Sequence, residues 1–84
     1  MGRSYRSRPK RLGTKLRQIR MRLGLTQPEM IRKLAVKGEP LYPASISEYE
    51  RGKREPPLMV LLSYARIAGI STDVLIDDKL DLLK

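Results

Sequence analysis

Leu12, Leu16, Ile19 and Leu23 recur at intervals of four, three and four residues, and Gly24 follows at once. That spacing puts the four apolar side chains on one stripe of an α-helix. A glycine just past the last periodic residue ends it, because glycine enters the left-handed conformation without a Cβ clash. The same punctuation recurs downstream. Thr26 and Glu29 form a capping box in TQPE, with Pro28 in the first turn, where a missing N–H costs little. Met30, Ile31 and Leu34 then supply an inward face. Gly38, Pro40 and Pro43 break the chain across KGEPLYP. Ile46 and Tyr49 face inward on a third segment stopped by Gly52, and Leu58, Leu61, Leu62, Ala65 and Ala68 keep a helical period on a fourth stopped by Gly69. The expected helices are 12–23, 27–36, 43–51, 57–67 and 72–76, the last after Ser71 as N-cap. Apolar residues rarely alternate, which argues against strands.

The chain is therefore read as all-α: a compact five-helix domain over 12–76, preceded by a flexible basic arm over 1–11 and followed by a tail over 77–84. With 84 residues one core is the expectation.

Charge narrows the partner. Lys and Arg number 18 against 9 acids, a net charge of +9. Such a field favours a polyanion, unless it serves solubility alone. Met1–Pro28 holds nine basic residues and no acid, whereas Ser71–Lys84 holds four Asp against two Lys. Cys and His are absent, which removes disulfides, the common zinc ligands and the usual neutral-pH base. No metal, cofactor or enzymatic activity is expected. No apolar run is long enough to span a bilayer and no hydrophobic region follows the basic N-terminus, so the expectation is a cytoplasmic protein with no membrane partner.

Four pieces, LGTKLRQIR, LGLTQPEM, ISEYERGKREP and AGISTDVLI, together resemble the Cro/phage-repressor family of helix-turn-helix regulators, also called the xenobiotic-response-element family. The resemblance runs in the family's order from Leu12 to Ile76 and implies a lambda-repressor-like fold. The chain departs from the pattern in a longer segment between Leu34 and Ile46, in Ile31 where the family prefers Ala, in Pro57 where it often has a Ser cap, and in Ala68 where it has a larger residue. A longer loop is cheap to close, so the fold is expected to survive it.

The resemblance implies duplex DNA as partner, with the third helix in the major groove and the second across the backbone. Pro43, Ala44, Ser45, Ser47 and Glu48 are then the base-reading candidates. They are small or polar, as close approach to base edges requires: Ser contacts bases or phosphates, Ala a thymine methyl, Glu cytosine N4. Glu48 either reads a base or pairs with a neighbouring cation, since a carboxylate repels phosphate. Gln27 at a helix N-terminus, Arg51, Lys53 and Arg54 in the following connector, and Arg17 on the first helix, with Lys15 beside it, are the phosphate candidates. Arg20 and Glu50 are implied to form a structural salt bridge between the first and third helices. Arg3, Arg6, Arg8, Lys10 and Arg11 make an arm that either follows a groove or moves freely, and Tyr5 either stacks or packs.

A homodimer on a two-half-site operator is expected, because one short helix reads few base pairs. Leu80, Leu82 and Leu83 either join that partner or pack within the chain. The expected function is sequence-specific transcriptional regulation. Its rivals are an antitoxin of the same fold that also binds a toxin protein, and an RNA-binding or nonspecific nucleoid module.

Overall fold

Five helices each send at least one side chain to a single point of contact. Leu16, Met30, Ile46, Val60, Tyr64 and Leu75 have no accessible surface and come from the first to the fifth helix in turn. Burying a side chain of this size is worth about 1.5–3 kcal/mol, so this cluster is what holds five short helices together. The computed structural model describes residues 9–38 and 40–82. Within them the helices are α1 (Leu12–Leu23), α2 (Gln27–Leu34), α3 (Pro43–Glu50), α4 (Leu58–Ala68) and α5 (Thr72–Ile76), and no strand occurs. α1 packs against α3, α4 and α5, while α2 bridges α3 and α4. No helix of the described residues is long and apolar enough to cross a membrane.

The first and last helices have the expected bounds; the middle three are shifted at their ends. α2 closes at Leu34, two residues before its expected end, because Ala35 turns left-handed at φ 46°. A non-glycine residue there is strained, and no glycine marks the site. The stop is secured from outside by Ser63 on α4, whose hydroxyl donates to the Leu34 carbonyl at 2.8 Å. α3 ends at Glu50 rather than Arg51. α4 spans 58–68 rather than 57–67, with Pro57 as its N-cap and no side-chain hydrogen bond there. The long α2–α3 connection is pinned at both ends, since Val36 and Leu41 pack against the core. That is why the extra length leaves the helix pair intact.

The boundary at residue 11 moves. Lys10 and Arg11 belong to the folded body, because both backbone N–H groups donate to the Asp78 carboxylate at 2.8 and 2.9 Å. The Arg11 guanidinium also donates to the Asp78 carbonyl and pairs with Asp81. Leu82 packs against the core, so the segment after α5 is part of the domain, at least through that residue. Arg3, Tyr5, Arg6, Arg8 and Leu83 lie outside the described residues.

Candidate nucleic-acid interface

α3 is oriented by what grips its inner side. Ile46 and Tyr49 are buried, and at α1 the contact is backbone to backbone: a Cβ on Gly13 would stand 2.7 Å from the Glu50 carbonyl oxygen and 2.8 Å from that of Tyr49. Only glycine permits this approach. Beside it Arg20 and Glu50 meet in a two-pronged bridge. Arg20 Nε donates to Oε2 at 2.6 Å and Nη2 to Oε1 at 2.9 Å, while Nη1 donates to the Leu25 carbonyl at 2.9 Å. The Glu50 side chain is 4% exposed. The bond to Glu50 is the chief reason that the already high pKa of Arg20 is raised further. A paired, fork-shaped contact of this kind fixes orientation as well as distance.

With Ile46, Tyr49 and Glu50 turned in, the helical period turns Ala44, Ser47, Glu48 and Arg51 out along one stripe. Pro43, Ala44 and Arg51 are exposed, and Ser47 and Glu48 are half-buried. Ser45 is not on that stripe. It is buried, and its Oγ accepts the Tyr42 N–H at 3.3 Å, which caps the helix start. As a base-reading candidate Ser45 is withdrawn: its hydroxyl serves the fold. Glu48 accepts from Arg54 Nη1 at 3.3 Å, so the carboxylate is paired to a neighbouring cation. Arg54 also lies 5.8 Å from the centre of the Tyr49 ring, within cation–π range.

The cations flank the stripe unevenly. Arg51, Lys53 and Arg54 are all exposed in the turn after α3, whose backbone is held by Lys53 N–H donating to the Glu48 carbonyl at 2.9 Å. Lys10, Arg51 and Arg54 line one shallow cleft with Thr14 and Glu55, so an arm candidate and two connector candidates come together. Arg17 is exposed on α1, between Gly13 and Arg20 on the strip that faces α3. Lys15 leaves the set of phosphate candidates. It is 1% exposed, and its Nζ donates to the Val74 and Asp77 carbonyls at 2.6 and 3.0 Å, closing the end of α5. Burial lowers its pKa, and Arg11 adds to the effect. Lys15 falls among Leu12, Leu16 and Ile19 on the helical wheel, which is the signal that it is buried.

Gln27 stands half-buried at the first position of α2. The helix end around it is already occupied. Pro28 has no N–H, the Glu29 N–H donates to Thr26 Oγ1 at 3.2 Å, and the Thr26 N–H donates to Glu29 Oε1 at 2.8 Å. The Thr26 backbone bond, then its hydroxyl, hold the Glu29 carboxyl below its usual pKa. An anion arriving there meets the Gln27 amide and its N–H rather than an open row of donors.

α3 is thus gripped on its inner side and flanked by exposed cations on its outer one. The helix-turn-helix domain family matches residues 11–78, and the chain belongs to it. No curated protein matches the chain. The matched span begins at Arg11 and ends at Asp78, the two residues whose contact closes the domain. Among the described residues, no group of three or more carboxylates stands ready to hold a metal ion.

Proposed function

We propose that this protein is a sequence-specific duplex-DNA-binding regulator of transcription, of the Cro/phage-repressor type, which inserts the outer stripe of α3 into the major groove. The observation that carries the reading is the Arg20–Glu50 bridge beside the Gly13 contact. Together they hold α3 so that Ala44, Ser47 and Arg51 turn away from the body. Pro43, Ala44 and Ser47 are the base-reading residues. Arg51, Lys53 and Arg17 lie along the sugar–phosphate rails, with Gln27 on a phosphate from across the groove. Arg54 turns its remaining N–H groups to a phosphate while Nη1 keeps Glu48 paired. Binding as a homodimer supplies the second half-site that so short a reading surface needs.

Selection from a random duplex library at fixed salt tests this. The enriched sequence is expected to be two-fold symmetric, with half-sites about ten base pairs apart or a multiple of that. Equal affinity for all duplexes, with no enrichment, would overturn the reading in favour of a nonspecific module.

A further inference from the structure

We infer that the leading edge of α3, formed by Tyr42, Pro43 and Ala44, is an apolar reader of thymine 5-methyl groups; the inference rests on the major-groove docking proposed above. All three side chains are exposed, Tyr42 by 62%. The other two tyrosines of the described residues, Tyr49 and Tyr64, are buried in the core. Tyr42 is not a loose loop residue. Its N–H is held by Ser45 Oγ, and its carbonyl accepts the N–H groups of Ser45 at 2.8 Å and Ile46 at 3.2 Å. Leu41 before it packs on the core. The ring therefore projects from a fixed backbone at the N-terminal end of α3, the end that leads into a groove in this mode of docking.

Polar groups are scarce on that edge. Ser45 has turned inward, Glu48 is paired with Arg54, and the half-buried Ser47, one turn on from Ala44, is the polar neighbour that remains beyond that edge. The phenol oxygen of Tyr42 is the one side-chain polar atom that Tyr42, Pro43 and Ala44 carry among them. In the major groove thymine alone among the bases offers a methyl. Guanine, adenine and cytosine offer donors or acceptors, which lose water against an apolar surface and gain nothing in return. The occupant is duplex DNA because Arg51 and Lys53 are exposed at the other end of the same helix, in a chain of net charge +9.

The test replaces each thymine of the selected duplex by deoxyuridine, which removes the 5-methyl and leaves base pairing intact. At least one such position per half-site should weaken binding about four-fold, the worth of one buried methyl group. That penalty should shrink in Tyr42→Ser or in Ala44→Gly. Tyr42→Ser places a favoured N-cap residue at the helix start, so its melting temperature should not fall. A selected half-site whose thymines all tolerate deoxyuridine, or a penalty unchanged in both variants, would overturn the inference and leave groove docking standing. Failure to select any sequence would remove the docking reading, and this inference with it.

Discussion

Glu50 and Glu48 sit two residues apart on α3 and do opposite work. Glu50 is 4% exposed and engages Arg20 through both oxygens, whereas Glu48 is 36% exposed and meets Arg54 once, at 3.3 Å. Removing one partner of a buried bridge strands the other charge, a loss of about 3 kcal/mol. An exposed pair is screened by water and is worth less than about 1 kcal/mol. Glu50→Ala should therefore lower the melting temperature well below that of Glu48→Ala, and equal melting temperatures would contradict these roles. The contrast was readable in part. The family resemblance pointed to Arg20 and Glu50, and helical spacing put Glu48 on the outer side. For Ser45 and Lys15 residue type suggests the surface, whereas position decides burial. A serine at the third position of a helix can cap its start, and a lysine among leucines can reach a helix end.

At the scale of elements, caps made by neighbours in sequence were legible and caps made across the chain were not. Gly24, at φ 70°, ends α1 where its position indicated, and Thr26 with Glu29 opens α2. Ala35 ends α2 with no such mark, because its stop depends on Ser63 of α4. The start of α1 has no capping side chain of its own and no acid in its first turn. Asp78 does that work from 67 and 68 residues away, through the N–H groups of Arg11 and Lys10. Those two bonds, the Arg11 bond first, hold the Asp78 carboxyl below its ordinary value of 3.8. Because the folded pKa is the lower one, the stabilisation is full above the unfolded value and is lost as pH falls through the folded value. Asp78→Ala should melt below the natural chain at neutral pH, and the gap should close as pH falls below about 4. A gap of constant size across the acid range would show that the carboxylate does not act as this cap.

Across the whole molecule, contacts between distant parts of the chain close the domain while the cations after α3 stay exposed. Two acids of the C-terminal segment close the domain, since Asp78 and Asp81 hold Arg11, and the backbone carbonyl of Asp77 holds Lys15. Arg51 and Lys53 stay exposed at the end of α3. Composition announced the basic excess and its uneven spread along the chain. How the acidic end folds back onto the basic one was not legible, because no local pattern encodes a contact between residues so far apart. Among the exposed apolar side chains, Tyr42 stands at the head of α3, whereas Leu58 and Ile76 line a separate hollow between α4 and α5. In the proposed complex DNA meets α3 and the turn after it. Titrating the isotopically labelled full chain with its selected duplex, and following backbone amide shifts, reads that contact residue by residue. The largest shifts should fall on Tyr42–Glu48 and Arg51–Arg54, with α5 unmoved; shifts centred on the hollow around Leu58 and Ile76, with α3 unchanged, would contradict it.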